Sequence, residues 1–416
     1  MLHSMKDVTT QAREAKEAWI QLRSASTEVK NDFLRHLESC LRGSAQQIIE
    51  ANKKDIAEHF DITPAMRRRL ELTDASIAAI ADGVRDIREL PDPVGTLVRS
   101  WTRPDGLRIE RVRTPIGVIV FIFESRPNVV VDVAALCIKS GNALLLRPGK
   151  EALHSCEALM RCVRDALSQA GLPAMAVQLV EDRRHEAVNE LVQLEQYIDL
   201  VIPRGRESLI KAVCDHARVP VIKHMRGLCH AYIDAAADIQ KAIQIAVNAK
   251  TSNPATCNSV ETILIHQGIA DAVMPPLISQ LHAKGVEIRG CAKTCSYDRE
   301  CIPATEQDWD TEYLDLIVSM KVVSSLDEAI EHIAKYSSGL TDSIITENQT
   351  AAAEFLKRVD SATVLVNASN RLTDGGQFGL GAEVGISTAR IHMRGPMGLE
   401  DLTVPAYRVI GDGHIR

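Results

Sequence analysis

Cys257 is the residue of this chain best placed to act as a nucleophile. It lies in residues 253–258, Asn-Pro-Ala-Thr-Cys-Asn, between a turn-forming Asn-Pro pair and an apolar run that starts at Val260. A thiolate held rigidly there would attack an acyl carbon and form a thioester. A free cysteine is usually a small buried apolar side chain, and the chain has 10 cysteines. The polar neighbours of Cys257 and a glycine-rich segment near the C-terminus favour the functional interpretation.

The composition is that of a globular enzyme with ample core. The chain has 416 residues, 45% of them hydrophobic and 25% charged, which predicts two or three domains. The net charge of −7 and the scattered basic residues argue against nucleic acid or an anionic membrane as a partner. Without a membrane-length apolar run or a signal-peptide core, a soluble cytoplasmic protein with reduced thiols is expected.

The first ninety or so residues are predicted to be helical. Apolar side chains recur at helical spacing from Val29 to Leu41, and Gly43 is expected to end that helix. Ser44 with Gln47 fits a capping box for the next helix.

Short apolar runs then alternate with helical stretches, which predicts parallel sheets covered on both faces. Helices are expected over 129–139, 208–216 and 327–336. Strands are expected over 118–123, 143–147, 176–180, 198–203, 219–223, 261–265 and 363–367. The pattern restarts after Cys257, which indicates a second α/β domain. Residues 96–113 alternate polar and apolar around Pro-Asp-Gly and predict a two-stranded ribbon that pairs with another subunit.

Several motifs of known chemistry fail on inspection. Residues 379–384 start like a dinucleotide fingerprint but lack the third glycine, and residues 148–151 lack the first glycine and the Ser or Thr of a phosphate loop. The spacing of Cys291, Cys295 and Cys301 fits no common zinc pattern, so no metal site is predicted.

Residues 203–208, Pro-Arg-Gly-Arg-Glu-Ser, follow a predicted strand and open a predicted helix. The free N–H groups of a helix start, with two arginines nearby, would suit a diphosphate. A solvated loop between strand and helix is an equally good interpretation of the same residues.

Seven segments together carry a family resemblance. They are 124–129 (Glu-Ser-Arg-Pro-Asn-Val), 135–143, 202–205, 248–251 (Asn-Ala-Lys-Thr), 255–262 (Ala-Thr-Cys-Asn-Ser-Val-Glu-Thr), 373–384 and 392–400. On these segments the chain resembles the γ-glutamyl phosphate reductase family of proline biosynthesis, a branch of the aldehyde dehydrogenase superfamily. The likeness runs over nearly the whole chain, and its last two segments are the most specific.

The resemblance implies an aldehyde dehydrogenase-like α/β fold of two parallel-sheet domains and a small β oligomerisation arm. Residues 1–93 and 114–248 would form the nicotinamide-binding domain, 249–390 the catalytic domain, and 94–113 with 391–416 the arm. A homo-oligomer is therefore expected. The resemblance also implies that the cofactor is not held by the usual glycine loop.

The mechanism that the resemblance implies starts with attack of the Cys257 thiolate on L-glutamyl 5-phosphate. The Cys257 N–H and a side chain such as Ser125 or Asn128 would stabilise the oxyanion. Phosphate leaves, and NADPH reduces the resulting thioester to glutamate 5-semialdehyde. The thiolate must be favoured at neutral pH, so positive charge or a helix N-terminus is expected near Cys257.

Other roles are also carried over from the family. The residues expected to bind NADPH are Arg147, Pro148, Gly205, Arg206 and Glu312. Arg206 departs from the small residue that is usual there and bears on the preference between NADPH and NADH. The candidates for the substrate's phosphate and carboxylate are Arg126, Lys223, Arg371 and Arg394. Each of these four could equally be a structural ion-pair partner.

The absence of one glutamate is expected to distinguish this chain from hydrolytic aldehyde dehydrogenases. Hydrolytic aldehyde dehydrogenases carry a glutamate that activates water, and the matching residues 224–228 have no carboxylate. The rival interpretations are a hydrolytic aldehyde dehydrogenase and a non-catalytic scaffold that binds glutamate kinase. Association with that kinase is also compatible with catalysis, because glutamyl phosphate is labile.

Overall fold

The structure is a computed structural model that describes residues 6–59, 62, 64–223 and 226–416. Its helices are α1 (Val8–Leu22), α2 (Thr27–Gly43), α3 (Ala45–Glu58), α4 (Pro64–Leu70), α5 (Asp74–Glu89), α6 (Val129–Lys139), α7 (Leu153–Gln169), α8 (His185–Leu191), α9 (Glu207–His216), α10 (Ile239–Thr251), α11 (Ala270–Ala283), α12 (Ala292–Cys295), α13 (Glu306–Trp309), α14 (Leu326–Tyr336) and α15 (Gln349–Arg358).

Its strands are β1 (Leu97–Thr102), β2 (Arg108–Pro115), β3 (Val118–Phe123), β4 (Ala143–Pro148), β5 (Val177–Leu179), β6 (Leu200–Arg204), β7 (Cys229–Ile233), β8 (Val260–His266), β9 (Glu287–Gly290), β10 (Ile302–Pro303), β11 (Ile317–Val323), β12 (Thr341–Ile345), β13 (Thr363–Val366), β14 (Gly385–Ser387), β15 (Gly395–Met397) and β16 (Thr403–Ile410). Helices and strands alternate from β3 to β13, as the sequence predicts, and no α-helix is described between β13 and β16.

The chain divides into two units. Unit 1 comprises Met1–Lys223, Gly379–Gly385 and Met397–Arg416, and unit 2 comprises His224–Phe378 and Ile386–Pro396. The division after Lys223 lies earlier in the chain than the domain boundary at 248 that the sequence analysis proposes.

A parallel sheet of order β5-β4-β3-β6 forms the centre of unit 1. All six residues of β3 are buried, because both faces of the sheet are covered. On one face, Val8, Ala12 and Ala15 of α1 pack with Val118 and Val120. The chain runs from β3 to β4 and β5 on one side and then crosses to β6 on the other. Ligands of open α/β sheets bind at such a reversal, beyond the carboxyl ends of the strands.

A second sheet of unit 1 has the order β1-β2-β16 and is antiparallel. The β1–β2 hairpin confirms the ribbon predicted for 96–113, and its turn places Gly106 at φ 89°. The buried side chain of Asn142 fixes the neighbouring segments, since it accepts from Gly117 N–H and donates to the Leu402 carbonyl, each at 2.8 Å.

Unit 2 contains a parallel sheet of order β10-β9-β11-β8-β7-β12-β13. Its core lies between β8, α10 and α11, where Ile243, Val260, Ile263 and Leu277 are fully or almost fully buried. The segment that bears Cys257 joins α10 to β8, so it begins and ends in well-packed elements.

Most predicted elements form near the predicted bounds, and two predictions are wrong. Residues 219–223 do not form a strand but a single bridge between Val201 and Val221, because Pro220 has no N–H to extend the ladder. Ser44 makes no capping bond to α3. Ser44 is also the C-cap of α2, so it is the single residue that links α2 to α3. This double role leaves Ser44 at φ −105° and ψ 7° instead of the extended conformation of an N-cap.

No helix among the described residues is long and apolar enough to cross a membrane.

Candidate active site around Cys257

Hydrogen bonds within the loop between α10 and β8 hold Cys257 in place. The Thr256 hydroxyl donates to the Asn253 carbonyl at 2.9 Å, and Ser259 N–H donates to the Thr256 carbonyl at 3.0 Å. The buried Asn258 amide donates to the Thr373 carbonyl at 2.8 Å. Cys257 itself is half-buried, so its environment combines a fixed backbone with access to a small reagent.

Gly227 lies directly against the backbone of Cys257. A Cβ atom added to Gly227 would lie 1.9 Å from the Cys257 carbonyl oxygen and 2.6 Å from the Cys257 Cα. Only glycine fits at this position without a shift of one of the two segments. His224 and Met225, which begin the stretch aligned with the missing glutamate, lie outside the described residues.

A buried ion pair connects the two elements that flank the loop bearing Cys257. Lys250, in the last turn of α10, lies 2.7 Å from the Glu261 carboxylate on β8, and their side chains are 0% and 1% exposed. Burial lowers the pKa of Lys250 and raises that of Glu261 to about 7, and their mutual attraction opposes both shifts. Either charge alone would be costly at this depth, so the pair joins the two ends of the loop.

Glu312 lies beside this site in unit 2. Its carboxylate accepts from Gly227 N–H at 2.9 Å, and its charge contributes to the raised pKa of Glu261 after burial, the largest cause. The adjacent Arg226 donates to the Asp310 carbonyl at 2.9 Å and to its carboxylate at 3.0 Å. Glu312 therefore supports the segment that contacts Cys257.

The two substrate-binding candidates of unit 2 have different surroundings. Arg371 Nε lies 3.2 Å from the hydroxyl of Ser252, which belongs to the nucleophile loop. Arg394 instead pairs with the Asp360 carboxylate at 2.6 Å and donates to the Asp360 carbonyl at 2.7 Å. Of these two arginines, Arg371 is the one that contacts the loop bearing Cys257.

In unit 1, Ser125 follows β3 in a strained conformation with φ 49°. Its N–H and hydroxyl both donate to one oxygen of Glu151, at 2.5 and 2.8 Å. Glu151 also crowds Gly149, where an added Cβ would lie 2.4 Å from its carboxylate. The Ser125 hydroxyl is thus engaged with a carboxylate in this conformation.

Asn128 precedes α6 and makes no capping bond to that helix. Its side-chain amide donates to the Asp132 carboxylate at 2.8 Å. Burial raises the pKa of Asp132 to about 6, and the hydrogen bond from Asn128 opposes this shift. The interaction fixes the direction of the Asn128 amide.

The predicted diphosphate loop lies at the reversal of the unit 1 sheet. Gly205 follows β6, and an added Cβ there would lie 2.7 Å from the carboxylate of Glu124, which follows β3. The same carboxylate accepts from Arg206 N–H at 3.0 Å and pairs with its guanidinium at 3.2 Å. A carboxylate of the protein itself therefore occupies the Arg206 N–H, one of the groups expected to bind a diphosphate.

Arg147 and Pro148 end β4 at the same edge of the sheet. The Arg147 guanidinium donates to the Pro148 carbonyl and, at 2.8 Å, to the Arg183 carbonyl. Its Nε is buried without a hydrogen-bond partner among the described residues, and burial lowers its pKa. Arg126 and Lys223, the remaining candidates, are exposed in unit 1.

Four residues that shape these sites have no role in the sequence analysis. They are Glu151, Gly227, Lys250 and Glu261. A signal existed for Glu261, because a glutamate at the start of an apolar strand must find a partner if it faces the core. No comparable signal exists for Gly227 or Glu151, whose contacts join segments distant in the sequence.

Comparison with known proteins agrees with this architecture. A family model described as the aldehyde dehydrogenase family matches residues 2–287. The γ-glutamyl phosphate reductase of Nautilia profundicola is 49% identical over 99% of this chain and 100% of its own length. That of Caldanaerobacter subterraneus is 48% identical, again over 99% and 100%. The crystal structure of γ-glutamyl phosphate reductase from Thermotoga maritima superimposes with a TM-score of 0.96 at 45% identity, covering 99% and 100% of the two chains.

The fold and the site thus define an aldehyde dehydrogenase-type oxidoreductase. More specifically, the chain belongs to the γ-glutamyl phosphate reductases, the phosphorylating glutamate-5-semialdehyde dehydrogenases of proline biosynthesis. The predicted family, fold class and enzyme class are confirmed.

Gly227→Ala is expected to lower kcat by about 100-fold or more, because the new methyl group displaces the Cys257 backbone and small misplacements of reacting groups cost about that much. Turnover and the rate of Cys257 alkylation by iodoacetamide would be measured together. Gly83→Ala is the matched control, since nothing lies within 4 Å of an added Cβ there. Equal effects of the two substitutions would contradict the expectation.

Lys250→Met is expected to lower the free energy of unfolding by about 3–5 kcal/mol, because it leaves Glu261 buried without its counter-charge. The double variant Lys250→Met/Glu261→Leu should recover most of this loss. Urea denaturation followed by circular dichroism would measure both. Lys241→Met serves as the control, since Lys241 pairs with Glu347 at 2.6 Å on the surface and should cost less than about 1 kcal/mol. A loss in the double variant as large as in the single one would rule out the pairing as its cause.

Proposed function

We propose that this enzyme reduces L-glutamyl 5-phosphate to L-glutamate 5-semialdehyde with NADPH, through a thioester on Cys257. The observation that carries the proposal is the fixation of the Cys257 loop from three directions, by Gly227, by the Thr373 carbonyl and by the Lys250–Glu261 pair. A nucleophile that is rigidly held and half-buried is suited to attack on an acyl group.

In the proposed reaction, the Cys257 thiolate adds to the acyl carbon and the tetrahedral oxyanion expels phosphate. Ser125 and Asn128 are the proposed side-chain donors to that oxyanion. For Ser125 this requires release of its hydroxyl from Glu151, whereas the Asn128 amide has a second N–H besides the one given to Asp132. Asn128 therefore needs the smaller rearrangement.

For the substrate's phosphate or carboxylate, we propose Arg371 ahead of Arg394. Arg371 contacts Ser252 in the loop that bears Cys257, whereas Arg394 pairs with Asp360, a carboxylate that also pairs with Arg390. Arg126 and Lys223 remain proposals that rest on the family likeness alone.

The position of the candidate cofactor residues in unit 1 suits a nicotinamide cofactor. Glu124, Arg147, Gly205 and Arg206 meet at the carboxyl edge of the sheet, around the reversal of strand order, and the buried Nε of Arg147 has no partner among the described residues. We propose that Arg147 and Pro148 contact the ribose, that Gly205 and Arg206 lie near the diphosphate, and that Glu312 holds the nicotinamide ribose. When bound, the cofactor supplies the hydride that reduces the thioester carbon.

Glu124 sets a condition on this binding mode. Its carboxylate would repel a diphosphate at Arg206 N–H, so we propose that the Arg206 side chain, 75% exposed, turns from Glu124 to the cofactor phosphates. An arginine here also favours the additional 2′-phosphate that distinguishes NADPH from NADH.

The reverse reaction tests the proposed activity. Purified enzyme with glutamate 5-semialdehyde and NADP⁺ is expected to form NADPH only when inorganic phosphate is present, since phosphate must resolve the thioester. Cys257→Ala should abolish the activity, and Cys214→Ala, which removes another half-buried thiol, should retain it. Absorbance at the NADPH maximum is the readout.

Two results would oppose the proposal. NADPH formation without phosphate would indicate hydrolytic deacylation, and thus an aldehyde dehydrogenase that uses water. Full activity of Cys257→Ala would exclude the thioester.

We also propose that the β1-β2-β16 sheet associates with a second copy of the chain. Five large apolar side chains of this sheet are 43–63% exposed: Leu97, Val98, Tyr407, Val409 and Ile410. Clusters of exposed apolar side chains mark interaction surfaces.

Val409→Asp is expected to shift the sedimentation-equilibrium mass at micromolar concentration towards the monomer, because it buries a charge in the proposed contact. Gln21→Asp, at an exposed position of α1, is the control. A monomeric wild-type protein, or an unchanged mass in Val409→Asp, would contradict the association through this sheet.

A further inference from the structure

A second cysteine lies against the residue proposed as nucleophile. Cys229, the first residue of β7, is fully buried, and its thiol donates to the Cys257 carbonyl oxygen at 3.3 Å. The side chain of Cys257 packs against Cys229 together with Leu340 and Ile386. The two thiols are thus neighbours in unit 2, although 27 residues separate them in the sequence.

This proximity is imposed by the backbone. Cys229 pairs with Val260 in the parallel ladder of β7 and β8, and the Cys257 loop turns into β8 just before that point. Two residues before Cys229, Gly227 touches the Cys257 backbone. The segment 227–229 therefore runs alongside Cys257 and holds the Cys229 thiol next to it.

We propose that Cys229 is a resolving thiol, which forms an intramolecular disulfide with Cys257 after a peroxide has oxidised Cys257. The proposal rests on the proposed function in one respect, the reactivity of the Cys257 thiolate. It assigns to Cys229 a reaction that reduction of an acyl phosphate does not need.

The chemistry proceeds in two balanced steps. The Cys257 thiolate attacks one oxygen of hydrogen peroxide, the O–O bond breaks, and Cys257 sulfenic acid and hydroxide form. The Cys229 sulfur then attacks the Cys257 sulfur, the S–O bond breaks, and the sulfenic hydroxyl leaves as water with the Cys229 proton. Two thiols are oxidised to one disulfide, and one peroxide is reduced to two waters.

The burial of the two thiols sets the order of these steps. Cys257 is half-buried and is the one that a small peroxide reaches, whereas Cys229 is shielded. Burial also raises the pKa of the Cys229 thiol well above its ordinary value, so Cys229 is not the thiol that a peroxide oxidises first. A disulfide would protect Cys257 from irreversible oxidation to the sulfinic acid, and a dithiol would restore it.

Two other cysteine pairs provide internal comparisons. Burial, together with a hydrogen bond to Cys40, raises the pKa of Cys162 to about 12, and burial with a hydrogen bond to Cys295 raises the pKa of Cys301 to about 12. Both pairs bring sulfur atoms together without a proposed nucleophile. If proximity alone governed oxidation, all three pairs would respond alike.

Peptide mapping tests the proposal directly. Reduced enzyme would be treated with increasing hydrogen peroxide, blocked with N-ethylmaleimide and digested with trypsin without reduction. Trypsin separates residues 227–241, which contain Cys229 alone, from residues 251–284, which contain Cys257 alone. The expected product is a cross-link of these two peptides, formed before any Cys40–Cys162 or Cys295–Cys301 cross-link.

Two variants define the role of each thiol. In Cys229→Ser, Cys257 should become trapped by dimedone as a sulfenic acid and pass to the sulfinic acid at higher peroxide, so that dithiothreitol no longer restores its alkylation. In Cys162→Ala, the matched control in which another buried thiol of a close pair is removed, the Cys229–Cys257 cross-link and its reversal should be unchanged.

The outcomes separate this proposal from the proposed function. Sulfinic acid on Cys257 with Cys229 still free in the wild-type enzyme would overturn the resolving role, as would recovery in Cys229→Ser as complete as in the wild type. Phosphate-dependent turnover is measured on the same untreated samples. Normal turnover without the cross-link refutes the disulfide alone, whereas a cross-link in an enzyme without turnover refutes the proposed function alone.

Discussion

The contact between Gly227 and the Cys257 carbonyl is the constraint on which the arrangement of the active-site loop depends. With an added Cβ only 1.9 Å from that oxygen, no other residue type leaves room for the two backbones to pass. The contact has consequences on both sides of Gly227. Glu312 accepts its N–H, and Cys229 follows closely enough to bond the same carbonyl. Because Gly227 has no side chain, its segment lies against Cys257, with the Glu312 carboxylate bound to the Gly227 N–H and the Cys229 thiol bound to the Cys257 carbonyl.

The buried Lys250–Glu261 pair complements this contact from the other end of the loop. A pair of this kind contributes little net stability compared with an apolar replacement, because both ions lose their hydration. The pair instead favours one position of the loop, since a displaced loop would separate the two charges and leave each uncompensated in the core. The tight backbone contact limits how close the loop approaches β7, and the ion pair limits where the loop starts and ends. Together they restrict Cys257 more than either would alone.

Local sequence patterns predicted the fold well, because the causes of secondary structure are largely local, whereas the role of Cys257 stays a prediction. A run such as 118–123 must be buried whatever surrounds it, and Gly141, at φ 77°, ends α6 as its type indicates. The failures come from effects that spacing patterns within one element do not contain. Ser44 fits a capping box by spacing, but the one-residue link to α2 determines its conformation. The engagement of Ser125 with Glu151 depends on how β3 and β4 are paired, which no local pattern contains.

The proposed role of Cys257 as an acyl-transfer thiol brings two opposing requirements, and the same residues bear on both. The thiol must be open enough for a small, highly polar substrate, and any such opening also admits water and small oxidants. Complete burial therefore cannot protect the thiol from water and oxidants. The residues around the thiol have to provide that protection. At Cys257 the neighbourhood is a fixed backbone, a supporting carboxylate in Glu312 and a shielded thiol in Cys229. Because all three are positioned through segment 227–229, a change in that segment alters substrate positioning and thiol chemistry together.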